Sequence, residues 1–209
     1  KRMVAFFNAE LGRFSATKPA GTTAAKTEAA KKFADRDSGK FSWDESDFQR
    51  MAKGEKLKVD PEAIYETTYR PFERQYGNVA RQLNNRIYQL PKIYPTSDAR
   101  TLAITVTEAG ARVPFSTLLV DRVPDSKIYI DATQCFAVMT YETTAGSANA
   151  PLFDAPDAGW RSNISAAALQ AFRTLDASLT AEDLFFYVYG ILHARDYREA
   201  FAADLKKSL

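Results

Sequence analysis

One cysteine, Cys135, and one histidine, His193, are all that 209 residues contain of two chemically versatile side chains. A lone thiol cannot close an internal disulfide, which points to a reducing compartment. One thiol and one imidazole cannot build a Cys/His zinc cluster. The longest apolar run, residues 184–192, has Gly190 inside it and is too short to cross a bilayer. Lys1-Arg2 leads into a short mixed segment rather than the long apolar core of a signal peptide. No Gly-x-x-x-x-Gly-Lys-Ser/Thr loop and no Gly-x-Gly-x-x-Gly fingerprint occurs, so Walker and Rossmann sites are excluded. These absences describe a cytoplasmic, non-membrane module without an internal cofactor.

Catalytic constellations are equally scarce. A Ser-His-Asp hydrolase would need His193 as its base, yet no Gly-x-Ser-x-Gly elbow accompanies it. A histidine ending an apolar helix is suited instead to the negative end of the helix dipole. The pairs Asp44/Glu45 and Glu182/Asp183 fall in first turns of helices, where acids stabilise the N-terminus. Cys135, between Gln134 and Phe136 in a strand-like run, reads as a buried thiol. No residue is assigned a catalytic role.

What is present is a foldable core and an uneven charge. Hydrophobic residues make up 45% of the chain and aromatic residues 12%, enough to bury a core. The net charge is only +2, but the first 130 residues carry 22 basic and 16 acidic side chains, and the last 79 carry 6 and 10. The excess concentrates between residues 69 and 92, where Arg70, Arg74, Arg81, Arg86 and Lys92 face one acid, Glu73. The same stretch holds Gln75, Asn78, Gln82, Asn84, Asn85 and Gln89. Guanidinium forks match phosphates and guanine edges, and carboxamides match the adenine edge, so this mixture suits a nucleic-acid reader. A solvated polar surface has the same composition.

The periodicity predicts helices over residues 3–14, with Val4, Phe7, Leu11 and Phe14 on one face, and over 22–34, rich in alanine and lysine. A third helix opens at Ser42-Trp43-Asp44, runs through Met51 and closes at Gly54, and residues 61–65 add one more turn. From Tyr69 the texture turns to short strands: a half-buried one at 101–107, then 115–123 and 134–141. Residues 143–163 read as a long connection. Helices follow at 165–175, at 181–193 with Thr180 as N-cap and Asp183 completing a capping box, and at 197–207. The 181–193 helix is apolar nearly all round, which predicts burial. This order argues for an α+β fold: a small mixed or antiparallel sheet flanked by N-terminal helices and a C-terminal helical bundle. The segments are 1–68, helical; 69–163, β-rich; and 164–209, helical.

Two stretches carry a family resemblance. Tyr69-Arg70-Pro71-Phe72, followed by Arg74 and Tyr76, resembles an element of the specificity regions of adenine-N6 DNA methyltransferases. Tyr189-Gly190-Ile191-Leu192-His193, followed by Tyr197-Arg198, Phe201 and Asp204-Leu205, resembles a C-terminal element of the single-chain Type ISP restriction–modification enzymes and their helicase–methyltransferase relatives. Leu90-Pro91-Lys92-Ile93-Tyr94-Pro95 and Gln134-Cys135-Phe136 agree more weakly, and the likeness covers most of residues 69–209. The resemblance implies a target-recognition domain, a non-catalytic part of an endonuclease and methyltransferase. The Asn/Asp-Pro-Pro-Tyr/Phe signature of methyl transfer is missing, since the chain has no Pro-Pro pair. S-adenosylmethionine and ATP/Mg therefore belong, by this resemblance, to absent domains. The family usually continues past the last helix into a Pro-Arg-Ile-Pro-like segment, and this chain stops at Leu209, a departure expected of either a truncated or a disordered end.

The expected function is sequence-specific recognition of double-stranded DNA, positioning an adenine for N6 methylation by an adjoining methyltransferase domain, beside a helicase domain. The expected DNA-facing set is Arg70, Arg74, Arg81, Asn84, Asn85, Arg86 and Lys92, with Arg100 and Arg112 as secondary contacts. Phe72 and Tyr76 are expected to anchor this stretch on the sheet while Arg70 and Arg74 reach outward. The alternative is a helical coupling module that docks onto protein without reading bases.

Overall fold

The computed structural model describes residues 1–84, 87–142 and 159–207. It is α+β, and the chain divides into two compact units, one formed by Lys1–Pro61 with Ala80–Asn85, the other by Glu62–Val79 with Arg86–Leu209.

The first unit is helical. Helix α1 (Arg2–Ala16) buries Val4, Phe7, Leu11 and Phe14, the stripe set by their three- and four-residue spacing. Helix α2 (Thr23–Phe33) is opened by Thr22, whose hydroxyl accepts from Ala25 N at 3.3 Å. Helix α3 (Glu45–Lys53) has a reciprocal capping box between Asp44 and Asp47 and ends on Gly54 at φ 74°, a left-handed turn that glycine adopts without strain. Around α1 an aromatic cluster closes the core: Phe41 and Trp43 lie 4.7 Å apart, and Trp43 stacks on Phe48 at 5.2 Å and 12°. The Trp43 indole N–H donates to the Asp35 carbonyl at 2.7 Å, so the partly buried ring keeps its polar bond. Two local ties bring distant segments in. Asn8 exchanges two 2.9 Å bonds with the backbone of Leu57, and the Gln82 side chain accepts from Lys58 N at 3.2 Å.

Residues 61–65 are not a helical turn: strand β1 (Ile64–Arg70) begins there. Its Tyr65, Thr67 and Thr68 favour an extended chain, and antiparallel pairing with β2 (Glu73–Asn78) satisfies the backbone instead. In place of one small sheet, the described residues of the second unit form three. The first is mixed, in the order β2-β1-β5, with β5 (Val123–Pro124) parallel to β1. The second is antiparallel, with β3 (Ala103–Thr107) between β4 (Thr117–Val120) and β6 (Thr133–Ala137). The third is the antiparallel pair of β7 (Met139–Glu142) and β8 (Gly159–Ser162), so the expected connection over 143–163 ends in a strand, and its residues 143–158 lie outside the described residues. Short helix α4 (Leu90–Ile93) packs into the core beside Ala103 and Val123.

Strand β3 is buried on both faces rather than half-buried. Ala103 joins a core with Ile93, Tyr94, Val123 and Ile128, while Ile104 and Val106 point into a second core with Phe185, Leu192 and Leu205. Thr105, fully buried, donates to the Leu118 carbonyl at 3.0 Å and lies 2.6 Å from the Tyr129 hydroxyl, whose pKa burial pushes up to about 12.

The second core is closed by helices. After α5 (Ala166–Arg173) comes α6 (Ala181–His193), with the Thr180/Asp183 capping box its sequence predicts. Hydrogen bonds from the Thr180 hydroxyl and N–H hold the Asp183 carboxyl below its ordinary range. Only Leu184, Phe185 and Leu192 of α6 are buried; Phe186, Tyr187 and Val188 open to solvent, against the expectation of all-round burial, because packing against the sheet covers one face. The last helix is shorter than its sequence predicts. Helix α7 (Arg195–Ala200) gives way to successive turns through Lys207, which seat Leu205 in the core and bond the Lys206 carbonyl to Gly110 N at 2.8 Å. No helix among the described residues is long and apolar enough to cross a membrane.

Candidate nucleic-acid interface

Strands β1 and β5 run parallel, so both deliver their following loops to the same end of the mixed sheet. One loop is the β1–β2 hairpin, a two-residue connection of Pro71 and Phe72 between the paired Arg70 and Glu73. The other is the turn that follows Pro124, pinned to the sheet by Asp125 N bonding the Thr68 carbonyl at 2.9 Å and by the fully buried Ile128.

The hairpin is under local strain. Proline first and a left-handed residue second is the type II pattern, whose second position prefers glycine or asparagine. Here that position is Phe72 at φ 68°, a conformation that costs roughly 1–2 kcal/mol for a residue with a side chain. A bulge at Tyr69 adjusts the strand just before it.

Arg70 ties the two loops together. Its guanidinium stacks on the Tyr69 ring at 4.1 Å, donates to the carbonyls of Tyr69 (2.8 Å) and Lys127 (3.3 Å), and lies 3.5 Å from Asp125. Deeper in, Arg122 bonds Glu66 and both oxygens of Asp121 at 2.7–2.8 Å, and Arg74 reaches Asp121 at 3.8 Å. Arg112 pairs with Asp131 at 3.3 Å, next to the second loop. Two backbone N–H groups and that guanidinium hold the Asp131 carboxyl below its ordinary range. Lys127 is exposed and has no ion-pair partner among the described residues.

The expected roles in this hairpin are inverted. Phe72 is 95% exposed and Tyr76 81% exposed, so neither anchors the strand; Arg70, expected to reach outward, is the anchor. The reason is geometric. A guanidinium has five donors and can bond several carbonyls of two loops at once, which a ring cannot do.

Of the nine expected DNA-facing residues, the structure brings Arg70, Arg74 and Arg112 to this end of the sheet. Lys92 lies on α4, exposed, and Arg100 lies elsewhere, bonding the Ser97 and Ala99 carbonyls and lining a cleft of about 570 Å³ with Thr101, Asp121 and Glu182. Arg81 and Asn84 belong to the helical unit, where the Asn84 amide donates to the Ala80 carbonyl at 3.0 Å. Asn85 and Arg86 lie outside the described residues. Burial pushes the Cys135 thiol up to about 12, which leaves it a poor nucleophile at neutral pH.

Along its whole length, residues 1–209, the chain matches the family described as the Type ISP C-terminal specificity domain. The chain belongs to that family. Three solved structures align with essentially all of this specificity domain. A nuclease-deletion mutant of the Type ISP restriction–modification enzyme LlaGI, in complex with a DNA substrate mimic, is 26% identical over 100% of the domain, with a TM-score of 0.76. The ATP-dependent Type ISP enzyme LlaBIII, bound to DNA, is 26% identical over 100%, with a TM-score of 0.74. The DrdV–DNA complex, 22% identical over 99% with a TM-score of 0.77, shares the fold. The specificity domain spans only 17%, 12% and 18% of those three chains. No curated protein matches it.

Sequence reasoning about the specificity domain missed Lys127, Arg122 and Ile130 because they lie more than 50 residues from Arg70 along the chain. The parallel β1–β5 pairing alone carries them to the hairpin. A local signal for the turn did exist in Pro124-Asp125, a turn dipeptide between two apolar segments.

Proposed function

We propose that this domain reads double-stranded DNA within a restriction–modification enzyme, holding the duplex so that a methyltransferase region of a longer polypeptide can flip and methylate an adenine at N6. In this reading the methyl donor and ATP are bound by other regions, and the same recognition licenses the nuclease. The observation that carries it is the full-length correspondence with enzymes solved on DNA. Support from the chain itself is the loop cluster at one end of the mixed sheet, where Arg74, Arg112 and Lys127 stand at or near the surface around a rigid hairpin. Their acidic neighbours are partly exposed, and such surface pairs are weak enough for a phosphate to compete.

The test is a salt titration of the 209-residue chain on a labelled 30-base-pair duplex of mixed sequence. Each neutralised phosphate adds about 0.9 to the slope of log K against log salt. The reading expects a steep slope that loses roughly 2–3 when Arg74, Arg112 and Lys127 are all changed to Ala. Absence of duplex binding, or a slope unmoved by the triple substitution, overturns it for this loop cluster.

A further inference from the structure

Two large apolar side chains stand open to solvent on the two loops that Arg70 ties together. Phe72 is 95% exposed at the hairpin tip, and Ile130 is 74% exposed on the adjoining turn. Both sit in the left-handed region, at φ 68° and 74°, where neither a phenylalanine nor a β-branched isoleucine is at ease. Strain kept at an exposed position, with no packing gained in return, is a signature of function rather than stability.

The tip is also held stiff. Pro71 fixes its own backbone torsion. The Arg70 guanidinium is spread over Tyr69, Asp125 and the Lys127 carbonyl, and Ile128, fully buried, roots the second turn in the core. A ring on such a base cannot fold back onto the protein, and it meets whatever approaches already in position. Cations flank it, Arg74 two residues along β2 and Lys127 on the turn, and Glu73, the acid beside it, is occupied by the Gln75 amide at 2.8 Å. An apolar wedge between cations is the arrangement by which proteins unstack and kink a duplex: the cations take the phosphates and the wedge enters a base step.

We propose that Phe72 is a wedge that inserts at a base step of double-stranded DNA, with Ile130 as a second apolar contact and Arg74 and Lys127 on the flanking phosphates. This deepens the DNA-reading function above and rests on it. The wedge supplies the local unstacking that precedes extrusion of a nucleotide, a step that any enzyme acting on a paired base must pay for.

A mismatched step is already partly unstacked, so a wedge protein favours it. The experiment compares binding of the 209-residue chain to two 30-base-pair duplexes that differ only by one central T·T mismatch. The native chain is expected to prefer the mismatched duplex by roughly tenfold. Phe72→Gly removes the ring at a backbone position that glycine tolerates better, so the fold is retained, and the preference should shrink to within about twofold. Phe72→Trp should keep it. Replacing Arg74 and Lys127 by Ala should weaken both duplexes alike and leave the ratio intact. A native chain that binds both duplexes equally, or a Phe72→Gly variant that keeps the preference, overturns the wedge while the DNA-reading function stands. Failure to bind either duplex overturns both.

Discussion

In the helical unit Phe7, Phe41, Trp43 and Phe48 pack ring on ring around α1, whereas in the β-rich unit Phe72, Tyr76 and Tyr88 stand open to solvent. Both units are rich in aromatics and arginine, so composition does not separate them. The cation at the hairpin behaves differently too. In the helical unit the cations lie over rings, Arg36 above Phe48 at 4.6 Å and Arg13 above Phe33 at 5.6 Å, and add to packing. In the β-rich unit Arg70 stacks on its own neighbour and braces two loops against each other. The first arrangement stabilises an interior. The second holds a surface ready, and a ring left in water at the end of a braced hairpin is the clearest mark of that difference.

The contrast can be broken most directly at Phe7, which is fully buried in the helical unit. Phe7→Ala should cost about 3–5 kcal/mol, read as a lowered urea midpoint. A loss below about 1 kcal/mol would mean that ring packing does not hold that unit together. The matching change in the β-rich unit is Thr105→Val, which keeps shape and removes a buried hydroxyl that serves the Leu118 carbonyl and the Tyr129 hydroxyl. The expected cost is smaller, about 1–3 kcal/mol, because it comes from unmade hydrogen bonds rather than a cavity. A cost equal to that of Phe7→Ala would erase the distinction between a packed interior and a hydrogen-bonded one.

A third test uses pH. Burial raises the Asp47 carboxyl in the α3 capping box from the ordinary 3.8 to about 6, against the opposing pull of the Asp44 N–H. The folded state therefore binds the proton more tightly than the unfolded state. This contribution to stability is complete below pH 3.8 and fades as pH rises through about 6. Asp47→Asn retains an oxygen acceptor and should flatten that part of the stability profile between pH 4 and 7, read from urea midpoints at several pH values. An unchanged slope would show that Asp47 is not the group responsible.

Much of the helical unit was legible because its signals are local. The spacing of Val4, Phe7, Leu11 and Phe14, the Asp44 cap and the Gly54 stop each act within a few residues, and the helices form where those signals place them. The capping box of α6 was readable for the same reason. Strand β3 misled because alternation marks a half-buried strand only when one face is wet, and here helices and loops cover both. The exposed side of α6 misled in the opposite sense, since apolar character alone does not say which residues find a neighbour. The candidate site was half legible: the sequence marked Arg70, Arg74 and Arg112, yet it assigned anchoring to the rings and outward reach to Arg70.

By itself the sequence determined the α+β class, the helix boundaries set by caps and spacing, the lack of metal-cluster and nucleotide-loop motifs, and a family resemblance that the full-length match bears out. Only the tertiary structure decided which loops meet, which cations face inward and which rings stay bare. Caps and periodicity operate over a turn of chain. A parallel pairing between β1 and β5 joins residues more than 50 apart, and no local pattern encodes that meeting.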